Sequence, residues 1–105
     1  MTQARVRFTP TAQSDLGRLL GYLVGQAQSD EDLLRALEVI DRLEEEVLHR
    51  LAVAPFVYRK ATDSPFIREL IVPVGGTGYV VLYEIESDAL ITVLAVRHQR
   101  EDDFH

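Results

Sequence analysis

At Pro55 the spacing of the apolar residues changes, and that change limits the chain to folds in which helices precede most of the strands. Upstream, Ala12, Leu16, Leu19, Leu20, Leu23 and Ala27 recur largely at intervals of three and four, as do Leu33, Leu37, Ile40, Leu43, Val47, Leu48 and Leu51. That is the period of two amphipathic helices. Downstream, Phe66-Ile-Arg-Glu-Leu-Ile-Val72, Tyr79-Val-Val-Leu-Tyr-Glu-Ile85 and Ala89-Leu-Ile-Thr-Val-Leu-Ala-Val96 are short runs rich in β-branched and aromatic residues, the composition of strands.

The boundaries carry their own chemistry. Residues 4–8 alternate apolar and charged side chains, which predicts a first strand with one buried face. Thr9 follows as a hydroxyl able to cap free backbone N–H groups, and Pro10 takes the first helical position, where its missing N–H costs nothing. Ser29-Asp-Glu-Asp32 has the form of a capping box and starts the second helix. On that helix Glu31 with Arg35, Glu38 with Arg42 and Glu46 with Arg50 are glutamate-first pairs four residues apart, marking a solvated outer face. Pro55 stops the helix, and residues 55–65 read as a connecting loop that Phe56 and Tyr58 pack down.

Glycines occur in two patterns. Gly17, Gly21 and Gly25 lie four apart, although each weakens a helix by roughly 1 kcal/mol relative to alanine. A close approach of the second helix would offset that cost, so they are expected to form the seam of a helical hairpin. A membrane-dimer reading of the same spacing fails because Asp15 and Arg18 interrupt the segment. Gly75-Gly-Thr-Gly78 lacks the lysine and the following helix of a phosphate loop and predicts a hairpin turn.

The order strand, helix, helix, strand, strand, strand predicts an α+β fold in a single domain over residues 1–105, with an antiparallel sheet carrying a helical hairpin on one face. With 47% of 105 residues apolar, the chain can bury a core without staples, and with no cysteine it has none. Residues 1–7 lack the apolar run of a signal peptide, and no window approaches the roughly 20 apolar residues of a membrane span. A cytoplasmic location without membrane contact is expected. The consecutive carboxylates Glu44-Glu45-Glu46 point in different directions on a helix and have no histidine at ligand spacing, so no metal is expected there.

Charge is unevenly spread. The formal net charge of −6 excludes a surface that is basic all round. Acidic residues crowd into 30–32, 44–46 and 101–103, whereas Arg59, Lys60, Arg68, Arg97 and Arg100 gather in the C-terminal half.

Together with the element order, a series of short motifs resembles the RelE/ParE superfamily of toxins from type II toxin–antitoxin systems. Phe8-Thr-Pro-Thr-Ala-Gln-Ser-Asp-Leu16 is similar to the family's first strand and helix start, and Gly21-Tyr-Leu23 falls where the family often has an aromatic residue. Pro55 with Tyr58-Arg59 resembles its helix-ending proline and following arginine. Phe66-Ile-Arg-Glu-Leu70 and Tyr79-Val-Val-Leu-Tyr83 resemble its next two strands, and Val96-Arg-His-Gln-Arg100 resembles the ending seen especially in the ParE branch. The resemblance runs from about Val6 to Arg100. It implies a cognate antitoxin as partner, a possible toxin–antitoxin hetero-oligomer, and no cofactor. It also implies one of two targets: DNA gyrase for ParE-like members, or mRNA in the ribosomal A site for RelE-like ones.

Cleaving RNA through its own 2′-hydroxyl needs a proton acceptor, a proton donor and cations for the crowded phosphorane. His98 is the candidate for the proton steps, with His105 behind it, and Arg68, Arg97 and Arg100 are the candidate phosphate ligands. The alternative is a binding surface in which Arg59, Lys60, Arg68, Arg97, His98 and Arg100 meet a protein target. For His98 a plain strand-end histidine, and for Arg68 a partly buried cation paired to an acidic neighbour, are the structural readings. A thin basic cluster, an acidic stretch after it, and Phe104-His105 where RelE-like members have tyrosine all lean against a nuclease. A member that has lost toxicity and only binds its antitoxin is the third reading.

Overall fold

The computed structural model describes residues 3–100. β1 (Arg5–Phe8) is followed by α1 (Pro10–Gln26), α2 (Asp30–Val53), β2 (Arg59–Lys60), β3 (Ile67–Val74), β4 (Thr77–Ser87) and β5 (Leu90–His98). The strands form one sheet in the order β1-β5-β4-β3-β2. The expected α+β architecture is present, with α1 packed over β5 and α2 over β3.

The expected antiparallel pairing holds from β2 to β5, and the parallel pairing of β1 makes the sheet mixed. β3, β4 and β5 make the antiparallel meander, and β1 joins β5 in parallel with Arg5 opposite Leu90 and Phe8 opposite Val93. The direction of β1 follows from what comes after it. Thr9 donates its N–H to Val93 O at 3.0 Å and its hydroxyl to Leu94 O at 3.2 Å, so the chain must leave β1 beside the C-terminal half of β5. The helices then run out and back, and Ala4 N–H donates to Ala52 O at 3.1 Å where α2 ends. The loop expected over 55–65 also contains β2, whose two residues pair with Glu69 and Arg68 of β3.

Both helix starts work as their residues require. Thr9 Oγ1 accepts from Ala12 N–H and Ser29 Oγ from Asp32 N–H, each at 3.1 Å. Asp32 reaches back to Gln28 N–H at 3.0 Å, one residue beyond the cap. Of the i, i+4 pairs, Glu46 and Arg50 meet at 2.8 Å, while Arg35 turns to Asp32 at 3.4 Å. In the β3–β4 turn Gly75 and Gly76 have φ of +59° and +86°, a two-residue hairpin with positive φ at both centres, where glycine alone avoids the Cβ penalty.

Ala12, Leu16 and Leu19 of α1 and Ile40, Leu43, Val47 and Leu51 of α2 bury against Leu70, Val72, Tyr79, Val81, Tyr83, Ile91, Val93 and Val96. Each fully buried Leu or Val contributes about 1.5–3 kcal/mol. Leu33, Leu37 and Leu48, expected on the same face of α2, are each more than a third exposed, because the buried stripe is centred on Ala36, Ile40, Leu43 and Val47. The glycine seam is also corrected. A Cβ built at Gly17, Gly21 or Gly25 meets no atom within 4 Å, so these residues face open space rather than α2.

Candidate functional site

The cations of the C-terminal half do not converge. On the sheet face away from the helices, Arg59 pairs across strands with Glu69, and Arg7 donates to both Thr92 and Glu86 at 2.9 Å. Hydrogen bonds from Thr92 and Arg7 hold the Glu86 carboxyl below the usual carboxylate range. Lys60 is exposed on the edge strand β2.

Arg68 bonds differently from the acidic pairing expected of it. Its guanidinium donates to Pro65 O at 2.8 Å, Phe56 O at 3.1 Å and Tyr58 O at 2.7 Å, and lies 5.4 Å from the centre of the Phe56 ring. Its hydrogen-bond partners are thus three carbonyls rather than a carboxylate, and they belong to both ends of the 55–66 connection. Tyr83 adds a fourth tie through its hydroxyl, which donates to Pro55 O at 2.6 Å.

Arg97 donates to His98 O at 3.2 Å and to Gln99 O at 3.4 Å. His98 sits opposite Tyr79 in the β4–β5 register and makes an edge contact with its ring, centroids 5.5 Å apart. Both imidazole nitrogens are engaged. The Arg100 N–H donates to Nδ1 at 3.0 Å, which places the lone pair there and the proton on Nε2, 2.6 Å from Thr77 Oγ1.

Around this histidine the sheet end and α1 enclose a cleft of about 560 Å³. Leu19, Tyr22, Leu23 and Tyr79 form apolar walls, and Arg18, Thr77, His98 and Arg100 supply the polar groups. A second cleft of about 500 Å³ shares Thr77, His98 and Arg100 and is bounded by Ile71, Pro73 and Gln99. The structure places His98 and Arg100 in one cleft and adds Arg18 from α1, which the sequence reading did not select. The signal for Arg18 was its place three residues after Asp15 on the border of the apolar stripe. It points at a site only once β5 is known to lie beside α1.

Arg68 does not belong to this group. It stands opposite Tyr83, four residues along β4 from the partner of His98, which is about 13 Å of strand. β3 and β5 also lie on opposite sides of β4. Arg68, His98 and Arg100 therefore cannot close on one phosphate. His105 lies outside the described residues, as do Phe104 and the acidic residues 101–103. No group of three or more His, Asp or Glu side chains able to hold a metal ion occurs among the described residues, and no helix among them is long and apolar enough to cross a membrane.

No curated protein matches the chain. Among solved structures it resembles a chain of the chromosomal ParDE TA system from P. aeruginosa, with TM-score 0.69 and 17% identity over 91% of this chain and 96% of that one. It also resembles a chain of the toxin–antitoxin complex RelBE2 from Mycobacterium tuberculosis, with TM-score 0.63 and 21% identity over 96% of this chain and 97% of that one. At such identities the likeness establishes the β-α-α-β-β-β fold. The sequence itself matches, over residues 6–103, the family described as ParE toxin of type II toxin-antitoxin system, parDE, and the chain belongs to that family.

Proposed function

We propose that this toxin acts in the ParE manner: it inhibits DNA gyrase by protein–protein binding in the cytoplasm, needs no cofactor or metal, and is neutralised by a cognate antitoxin in a hetero-oligomer. The observation that carries this reading is the engagement of both His98 ring nitrogens by Arg100 N–H and Thr77 Oγ1. A general base needs a lone pair facing the proton it takes, and here the lone pair is spent on backbone. Arg68, tied to carbonyls, does not add to the cations beside His98, and the cleft and exposed cations there suit a protein surface. The purified chain is expected to block gyrase supercoiling or to accumulate cleaved DNA. Unchanged supercoiling at a large excess of chain would sink the proposal.

A RelE-like, ribosome-dependent endoribonuclease is the second reading, and one observation favours it: Arg18, His98 and Arg100 face a common cleft. It requires codon-specific mRNA cuts in translation complexes that disappear in His98→Ala or Arg100→Ala. Intact mRNA at saturating chain removes it. Harmless overproduction of the folded chain without its antitoxin would instead favour a member that binds antitoxin and has no toxic activity.

A further inference from the structure

We infer that His98 is a positioning residue: its imidazole turns the chain at the end of β5 so that Arg100 stands at the mouth of both clefts and meets the target there. This rests on the toxin reading above and holds for either target.

The residues of the motif Val96-Arg-His-Gln-Arg100 build one corner. β5 ends at His98, and Gln99 makes a last cross-strand bond, donating its N–H to Gly78 O at 2.8 Å. The Gln99 side chain then lies over Gly78, where any Cβ would collide with its amide group. Arg97 donates through one guanidinium nitrogen to the carbonyls of both His98 and Gln99, at 3.2 and 3.4 Å. The Arg100 N–H turns back to His98 Nδ1 at 3.0 Å, the bond from residue i+2 that an Asn or Asp side chain accepts in an Asx turn. Thr77 keeps that acceptor available: its hydroxyl oxygen, 2.6 Å from Nε2, takes the ring proton on that side and leaves Nδ1 its lone pair.

What the corner delivers is Arg100. Gln99 and Arg100 are exposed and neither belongs to the core, yet Arg97 and His98 both hold their backbone. Arg100 lines the cleft beside α1 and also the one bounded by Ile71 and Pro73. Fixing the backbone of a long side chain in advance lowers the freedom lost when that side chain meets a partner. The competing account of His98 is packing, through its edge contact with the Tyr79 ring.

The test compares two replacements in the full chain that share the loss of the Tyr79 contact. His98→Asn keeps an acceptor oxygen where Nδ1 stood, whereas His98→Gln carries its polar group one bond further out, where Nε2 stood. Two quantities are read: solvent exchange of the Arg100 amide, with the amides of β4 and β5 as the control for folding, and growth arrest per amount of soluble chain expressed without antitoxin. His98→Asn is expected to stay within about twofold of the unaltered chain in both. His98→Gln is expected to speed Arg100 exchange and to weaken growth arrest by about fivefold each, the worth of one hydrogen bond. In an Arg100→Gln background the same His98→Gln change should weaken arrest by less than about twofold more, because the residue it positions is gone. Asn as damaging as Gln, unchanged Arg100 exchange in His98→Gln, or losses that multiply in the double variant overturn the assignment, and so does harmless expression of the unaltered chain. Growth arrest that follows the expected pattern while gyrase supercoiling is untouched leaves the role of His98 standing and removes gyrase as the target. Gyrase inhibition by both His98 variants alike does the reverse.

Discussion

Asp15 on α1 accepts the backbone N–H of Val96 on β5 at 2.8 Å, and both residues are buried. The bond exists because β1 stops too early. Its register with β5 ends at Phe8 and Val93, leaving the rest of that β5 edge without a strand. The first turns of α1 take over: Thr9 donates to Leu94 O, Asp15 accepts from Val96 N–H, and Arg18 donates to Val96 O at 3.4 Å. Helical side chains thus close an edge that would otherwise expose pairing groups.

Asp15→Ala is expected to leave the Val96 N–H buried and unsatisfied. A hydrogen bond to a charged acceptor is worth about 1.5–3 kcal/mol, so the free energy of unfolding should fall by that amount, read as a lower denaturation midpoint. Asp15→Asn keeps an acceptor oxygen at the same place and should lose clearly less. Equal losses in the two variants would mean that the carboxylate acts through something other than this bond.

Arg68 braces the connection between α2 and β3. Replacing it by Lys keeps the charge but not the planar fan of donors that reaches Pro65, Phe56 and Tyr58 together. Because the group is partly exposed, the expected cost is about 1–3 kcal/mol, read from urea denaturation. Limited proteolysis should show new cuts within residues 56–66. Toxic activity should decline only as far as folded protein is lost. Loss of activity at unchanged stability and unchanged proteolysis would restore Arg68 to the target-binding residues.

Tyr79 and Tyr83 make stability fall in alkali. Burial pushes both phenols above their ordinary value of 10.0; at Tyr83 the Arg68 charge opposes the rise and Tyr58 adds to it. Above pH 10.0 the unfolded chain therefore loses these protons before the folded chain does. Their contribution is fully present below that pH and drains away as pH rises toward the folded values. Tyr83→Phe should cost about 1 kcal/mol at neutral pH, through the lost bond to Pro55 O, and should flatten the alkaline fall. An alkaline limb identical to that of the unaltered chain would contradict the assignment.

What could be read beforehand, and what could not, separates local from long-range physics. Thr9, Pro10, Ser29, Asp32 and Gly75-Gly76 act on backbone a few residues away, so their roles were legible from spacing. The partnership of β1 with β5 joins residues some 85 positions apart, as Arg7 and Thr92 do, and no period in the sequence encodes its direction. Arg68 was legible as a cation on a strand but not as a clamp, because its partners are carbonyls set by the path of an irregular loop. Of the candidate site, His98 and Arg100 were found by motif. Arg18 was missed because its relevance depends on that same long-range placement of β5.

The three glycines of α1 were misread for a different reason, since the needed signal was present. At 3.6 residues per turn Gly21 and Gly25 fall well away from Leu16, Leu19 and Leu23, and Gly17 falls at the flank of that stripe, so the spacing already pointed away from a buried seam. The structure finds all three exposed, with nothing within 4 Å of an added Cβ. Alanine at each site should therefore stabilise by about 0.5–1 kcal/mol, by restricting the unfolded chain and favouring helix without a clash. The effects should add nearly fully in the triple variant, because no shared partner couples them. Urea midpoints of the single and triple variants measure this directly. A seam would have given the opposite sign, with each methyl forcing α1 and α2 apart, so a destabilised triple variant would return these glycines to a packed interface.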